Sequence, residues 1–286
     1  MSKLRFILAD GLPERELDFL KQNIGPEADL KLVVTGKNNA GREAEFFLYP
    51  SEESVLISTD GHIISNMDQL GMATLGYIGP GGNEDHGMQA AVMLIEGLEE
   101  ADRMFLERVY ERKHGIPWTI VTTERCIVRE ITLDDLDALF ALYAGKGMTD
   151  YLDPLYEYEK EKEYQRSYID YMYRLYGYGM WVVIEKATGK LIGRVGIENR
   201  EACDGEPELG YMIDVSHQKK GYAMEVCLAV IDYAWDFLEF DQLNCLIQKG
   251  NTASECLAEK LGFTFQEEMD LDGKCMKRYT ISKSGA

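Results

Sequence analysis

Apolar residues along this chain come in two rhythms, short unbroken runs and longer stretches spaced at i, i+3, i+4 and i+7, and the two alternate from the start. Leu4 to Ala9 predicts a buried strand, and Pro13 to Asn23 a helix opened by proline in its first turn. Leu30 to Thr35 predicts a second strand, with a loop over Gly36 to Gly41. Phe46 to Tyr49 and Val55 to Thr59 read as short strands, Ile63 to Gln69 as a helix, and Ala73 to Ile78 as a strand stopped by Gly79-Pro80-Gly81-Gly82. A long helix is predicted from about Asp85 to Tyr110, with Gly87 and Gly97 as weak points.

From Thr123 the pattern changes. Thr123 to Ile131 predicts a strand, and Thr132 to Asp135 a helix start with a threonine cap and early acids. Leu136, Leu139, Phe140 and Tyr143 form one face of that helix. Tyr151 to Tyr178 is crowded with tyrosine and acid; Tyr164, Tyr168, Tyr171 and Leu175 fall on one helical stripe and are expected to pack inward. Met180 to Ile184 and Leu191 to Glu198 pair as a hairpin, followed by an acidic loop from Glu201 to Glu206 and a strand from Glu208 to Val215. A helix entered at Gly221 carries Met224, Cys227, Leu228, Ile231, Ala234, Trp235 and Leu238 on its apolar face. A strand over Gln242 to Gln248, a helix over Asn251 to Leu261, and a hairpin of Phe263 to Asp270 with Lys274 to Ile281 around Asp272-Gly273 complete the chain.

His114-Gly115 and Pro117 end the preceding helix. Two domains are therefore expected, 1–120 and 121–286, and 286 residues suit two cores of ordinary size. Strands separated by helices predict a small, partly parallel α/β layer for the first, resembling a Rossmann-like or haloacid-dehalogenase-like domain. The paired aspartates of the latter are absent, since Gly11 and Leu12 follow Asp10, and Gly36-Lys37 lacks the frame of a phosphate loop. No Lys or Arg occurs between Arg42 and Arg103, so a phosphorylated ligand would find little charge there. A packing or regulatory role without chemistry is the plain expectation for this domain.

A formal net charge of −20 argues against nucleic acid and anionic membrane as partners and favours a cationic one, such as an amine, or else plain solubility. No apolar run approaches the roughly 20 residues that span a bilayer, and no signal pattern opens the chain, so a cytoplasmic location is expected. Six cysteines, Cys126, Cys203, Cys227, Cys245, Cys256 and Cys275, include no C-x-x-C pair; buried reduced thiols are expected. His62, His86 and His114 are too scattered to hold a metal, and no metal is expected.

The stretch from Glu208 to Ala223 carries the candidate chemistry. It is a strand, a donor-rich turn and a helix start, where unpaired backbone N–H groups and the positive end of the macrodipole favour a phosphate. Gly221 and Ala223 are small enough to let an anion approach, and Lys219 and Lys220 add charge. Gln218-x-x-Gly221-x-Ala223 resembles the Q/R-x-x-G-x-G/A signature with which GNAT superfamily N-acetyltransferases bind the pyrophosphate of acetyl-CoA. Asn251-x-x-Ser254-x-x-Leu257-x-Glu259-Lys260-x-Gly262-Phe263 resembles that family's later block, and the likeness extends over about 120–283, most of all to the branch of ribosomal-protein N-acetyltransferases.

The resemblance implies a mixed, mostly antiparallel twisted sheet with flanking helices. It also implies acetyl-CoA as cosubstrate, a primary amine as acceptor, and direct transfer in a ternary complex. Gln218, Lys219, Lys220, Gly221, Tyr222 and Ala223 would receive the pyrophosphate, main-chain groups of Ile213 and Val215 the pantetheine arm, and Asn251 the same arm. Glu208 is the implied proton acceptor, and a backbone N–H near Met212 or Ile213 the oxyanion donor. Many relatives carry a tyrosine where this chain has Ala258, so Tyr211 and Tyr279 are candidate stand-ins as proton donor. Tyr151, Asp153 and Glu157 fall in the segment that forms the family's acceptor pocket, where acids and aromatic faces suit an amine. The acceptor is then a cationic small molecule or a peptide N-terminus. The rival reading is a CoA-binding regulator with no catalysis. A homodimer is common in the superfamily, and nothing in the sequence requires one.

Overall fold

The computed structural model describes residues 3–24, 29–35, 42–82, 87–200, 203 and 205–283, with the backbone alone at 42 and 43. The chain falls into two compact units, Met1–Trp118 and Thr119–Ala286.

The first unit holds β1 (Phe6–Asp10), α1 (Glu14–Ile24), β2 (Lys31–Thr35), α2 (Arg42–Phe46), β3 (Ser54–Ser58), α3 (Gly61–Gln69), β4 (Ala73–Tyr77), β5 (Met93–Ile95) and α4 (Arg103–Lys113). Its five strands are all parallel in the order β2-β1-β3-β4-β5. Both faces are covered. Ile7, Ala9, Val55 and Ile57 join Leu20 of α1 and Leu106 and Val109 of α4 in one core, while Leu8 and Leu56 join Ile63 and Met67 of α3 in another. Two-sided burial is why these strands read as unbroken apolar runs. At the end of β1 the buried Asp10 carboxylate accepts from the hydroxyls of Thr35 at 2.9 Å and Ser58 at 2.7 Å.

Two expectations fail here. Phe46 to Tyr49 is the end of α2 and a turn; Phe46 is buried while Phe47 and Leu48 are exposed, so the run is not a strand. The long helix from Asp85 is, over the described residues, a 3₁₀ turn at Met88–Ala90, then β5, then α4, capped by the Asp102 side chain on the Phe105 amide. Gly87, with φ 99°, packs where a Cβ would lie 2.3 Å from the Gly61 carbonyl oxygen, a close approach of two backbones that no helix interior requires. The loop over 36–41 and His86 lie outside the described residues.

The second unit holds β6 (Thr119–Thr122), β7 (Cys126–Arg129), α5 (Leu136–Tyr143), α6 (Tyr158–Tyr168), a π-helix (Ile169–Tyr176), β8 (Met180–Glu185), β9 (Leu191–Asn199), β10 (Pro207–Ile213), α7 (Tyr222–Asp236), β11 (Gln242–Gln248), α8 (Thr252–Lys260), β12 (Thr264–Leu271) and β13 (Lys274–Ser282). The strands form one sheet, β12-β13-β11-β10-β9-β8-β7-β6, antiparallel throughout except between β10 and β11. The predicted first strand is β7, the second arm of a hairpin whose first arm, β6, precedes the predicted start at Thr123. A capping box joins Thr132 and Asp135 ahead of α5, as the threonine and early acids predict.

On one face of the sheet Trp181 meets Tyr233 of α7, ring centres 5.8 Å apart. On the other, Met212 packs with Leu142 and Met148. The buried side of α7 is Val226, Cys227, Val230, Ile231, Tyr233 and Ala234, so the helix is turned from the expected face and leaves Leu228 exposed.

The tyrosine stripe is also rearranged. Tyr168 is buried, but Tyr171 and Leu175 are 58% and 64% exposed, while Tyr173 is 1% exposed. The π-helix widens the turn, so the inward face passes from Tyr168 to Tyr173, i to i+5, and the two rings meet edge to face at 5.6 Å. A regular 3.6-residue repeat cannot anticipate that shift. Of the six cysteines, all free, Cys256 and Cys275 are exposed rather than buried.

Candidate active site

β10 and β11 are joined as a parallel ladder at a single residue pair, Glu208 with Asn244, and then part. Beyond that rung no ladder joins them, and a ligand can lie between the strands and pair with main-chain groups as an added strand would. The cleft between them, about 770 Å³, is lined by Glu208 to Met212 of β10, Cys245 to Gln248 of β11, Asn251, and residues of α6, β9 and the segment Tyr151 to Tyr156.

Glu208 sits where the strands part. Its Oε2 accepts from Arg200 Nε at 2.6 Å and its Oε1 from the Leu246 amide at 3.3 Å. It is 8% exposed. Burial raises its pKa above the ordinary carboxylate value, against the pull of Arg200 and the Leu246 amide. A carboxylate so held is a stronger base than one in water.

Strand alternation separates the two candidate catalytic residues. Glu208, Gly210 and Met212 share a face with Glu198, Gly196 and Arg194, their partners across β9, whereas Tyr211 points to the face covered by α7. The Tyr211 hydroxyl donates to the Ser254 carbonyl at 3.2 Å, and burial raises its pKa. Both residues still line the cleft, because it runs through the sheet at the gap. Tyr279 is buried, its hydroxyl 3.5 Å from Glu255, and does not line the cleft.

β10 ends at Ile213, two residues before the predicted limit, because Asp214 turns the chain by accepting from the Ser216 amide at 3.2 Å. The Ile213 carbonyl is taken by the Gln218 side-chain amide at 3.0 Å, and Val215 lies in the 3₁₀ turn, exposed. Lys219, with φ 59°, and Gly221, with φ 86°, reverse the chain so that α7 starts at Tyr222. Gly221 is its N-cap and supplies no side-chain acceptor, so none of the first amides is capped that way. Ala223 keeps the first turn slim, and Lys219 and Lys220 are exposed beside it. These features fit a diphosphate at the helix start.

Arg125, which motif reading passed over, braces this turn. Its Nε donates to Glu225 at 2.7 Å, its Nη1 to the Lys220 carbonyl at 3.0 Å, and its guanidinium lies 4.1 Å from the Tyr222 ring centre. Tyr222 in turn donates to Glu185 at 2.5 Å. The Asn251 side-chain oxygen caps α8 through the Ser254 amide at 3.2 Å, which leaves its NH₂ as the group facing the cleft.

In the acceptor segment, Tyr151 donates to the Gly250 carbonyl at 3.1 Å and Asp153 pairs with Lys274 at 2.8 Å, both at the cleft wall. Glu157 does not line it. Three side chains that the sequence reading did not select do: Glu161, Arg194 and Glu198. The signal for Arg194 was present, a charge inside the apolar run Leu191-Ile-Gly-Arg-Val-Gly-Ile197.

The family profile described as acetyltransferase (GNAT) domain matches residues 125–264. The uncharacterized N-acetyltransferase YoaA of Bacillus subtilis is 30% identical over 147 residues, 50% of this chain and 82% of that protein. The chain belongs to the GNAT acetyltransferase family. The uncharacterized protein YkkB of Bacillus subtilis is also 30% identical, over 158 residues, 52% of this chain and 87% of the relative. RimL, a ribosomal L7/L12 α-N-protein acetyltransferase solved with coenzyme A, shares the GNAT fold at 18% identity, covering 58% of this chain and 98% of its own, with a TM-score of 0.50. As a GNAT enzyme the chain is an acyltransferase, of a family that uses acetyl-CoA and acts on amines. Among the described residues no group of His, Cys, Asp or Glu is placed to hold a metal, and no helix is long and apolar enough to cross a membrane.

Proposed function

We propose that the chain moves acetyl from acetyl-CoA directly to a primary amine held in the cleft between β10 and β11, with Glu208 taking the proton that the amine must lose. An alkylamine with a pKa near 10.4 is protonated at neutral pH, so transfer needs an acceptor for that proton. The observation that carries the reading is Glu208 at the fork, buried, raised in pKa and beside the open main chain. In this reading the amides from Gly221 to Ala223, with Lys219, Lys220, Gln218 and Tyr222 around them, receive the diphosphate. Main-chain groups up to Ile213, and Asn251, receive the pantetheine arm; Val215, already past the strand, is the weakest member of that set. Tyr211 is the hydroxyl proposed to return a proton to the departing thiolate.

The carboxylates lining the cleft and the net charge of −20 support an amine acceptor, a cationic small molecule or a peptide N-terminus as for RimL. One observation favours the rival of a non-catalytic CoA binder: the Arg200 contact at 2.6 Å weakens Glu208 as a base. CoA thiol release over polyamines, aminoglycosides, amino acids and peptides decides between them. Turnover by the wild type that drops in Glu208→Gln is expected; tight CoA binding with no turnover on any acceptor supports the rival.

A further inference from the structure

Among the described residues Arg194 has no counter-ion. It is 9% exposed, in the middle of β9, on the face that carries Glu208. Its polar contact is the Tyr143 hydroxyl at 3.5 Å, the limit of a hydrogen bond, and its buried Nε meets no partner. A buried guanidinium that is unpaired is held against a large desolvation cost, in a chain with 50 carboxylates to choose from. The nearby carboxylates are engaged elsewhere: Glu198 accepts from Tyr168 at 2.6 Å, Glu208 from Arg200, and Glu161 from Gln165 at 2.7 Å and the Tyr156 amide at 3.0 Å.

The same cleft holds a second orphan of opposite kind. Gln165 is buried, and because the Glu161 carboxylate can only accept, the Gln165 NH₂ must face it. That leaves the Gln165 carbonyl oxygen buried, without a partner, in the cleft lining. A donor fork and a lone acceptor, both buried and both on the wall of one cleft, are complementary to a molecule that carries an oxyanion and an N–H group together.

We propose that the acceptor amine of this enzyme is an amino carboxylate, an amino acid in the broad sense, whose carboxylate is received by Arg194 while its nitrogen is turned toward Gln165 and Glu208. This rests on the transfer reading above and narrows it. The acidity of the cleft selects the amine; Arg194 selects which amines, rejecting those without an acid group, because they would leave the guanidinium desolvated and unpaired. Arg194 is then a specificity residue that touches substrate and takes no part in the proton transfer.

The test is equilibrium binding, which does not depend on turnover. The intact chain saturated with CoA is titrated calorimetrically with the protein amino acids, each beside its amide and its decarboxylated amine. The free acid of at least one set is expected to bind at least tenfold tighter than both neutralised forms, and Arg194→Gln to erase that difference while Arg194→Lys restores part of it. Acetyl-CoA affinity is expected to be the same in both variants. Equal binding of the three forms, or of none, overturns the proposal, as does a tenfold loss of acetyl-CoA affinity in Arg194→Gln, which assigns the guanidinium to the cofactor. Melting of the ligand-free protein gives a second reading: Arg194→Met is expected to melt no lower than wild type, and a clear fall makes Arg194 a structural residue. Thiol release run in parallel separates the two ideas, since turnover without carboxylate preference refutes only the amino carboxylate and carboxylate-selective binding without turnover refutes only the transfer.

Discussion

Arg200 and Glu208 form an ion pair in which the guanidinium holds one carboxylate oxygen at 2.6 Å, while the amide of Leu246 holds the other. Burial pushes the Glu208 pKa up and Arg200 pulls it down. Glu208→Gln is expected to lower kcat by roughly 10²-fold or more with little change in acetyl-CoA affinity. Removing the guanidinium in Arg200→Gln leaves burial less opposed, so the acidic limb of kcat/KM moves to higher pH. A limb that stays in place, measured across pH 5 to 9 by thiol release (roughly the range around a raised carboxylate), would remove Glu208 from the base role.

The cradle makes a separate prediction. Gly221 adopts φ 86°, and a Cβ there would sit 3.4 Å from Arg125 Nη2. Gly221→Ala is expected to strain the turn by about 1 kcal/mol and to weaken acetyl-CoA binding about tenfold or more, read by calorimetry. Affinity equal to wild type would place the diphosphate elsewhere.

Much of this site was legible in the sequence, and the reasons for the exceptions differ. The strand, turn and helix from Glu208 to Ala223 were readable because glycine, charge and apolar spacing all point the same way there. The hairpins on either side of Glu185–Lys190 and Asp272-Gly273 were readable from their turns. The partnership of Arg200 with Glu208 was not, since it depends on the register that sets Glu208 opposite Glu198, two residues before Arg200. Nor was Arg125, whose value lies in an interaction with Glu225, 100 residues away. In the first unit a partly parallel α/β layer was expected and the sheet is parallel throughout, but Phe46 to Tyr49 looked like a strand because four residues are too few to carry a period.

The π-helix supplies a stability test in one short segment. Tyr173 donates to the Met180 carbonyl at 2.6 Å and its oxygen accepts from the Ile131 amide at 3.3 Å. Tyr173→Phe leaves both buried groups short of a partner and is expected to cost roughly 1–3 kcal/mol in chemical denaturation. Tyr171→Ala and Leu175→Ala, on exposed positions, are each expected to cost less than about 0.5 kcal/mol. The reverse ranking would restore the regular helical stripe.

Arg129 and Asp135 form a two-bonded pair at 2.7 Å that anchors α5. Burial opposes ionisation of Asp135, but Arg129 and Thr132 outweigh it and hold its pKa below the ordinary value. Its contribution is therefore full above the unfolded pKa, near 3.9, and is lost as pH falls through the lower folded value. Asp135→Asn is expected to cost roughly 2–3 kcal/mol at neutral pH, with the gap to wild type closing only in strong acid. A gap that is constant with pH would refute the assignment.

Because one ladder rung joins β10 to β11, the eight-stranded sheet is a panel of five and a panel of three, tied across the seam by that rung and by side chains such as Glu206, which accepts from Gln242, Asn244 and Arg278. Twisting of the smaller panel, which carries α8 and the terminal hairpin, alters the width of the slot without disturbing any other ladder. The width of the slot is therefore set by side-chain ties across it, such as Tyr211 to the Ser254 carbonyl and the Leu246 amide to Glu208, rather than by a continuous ladder.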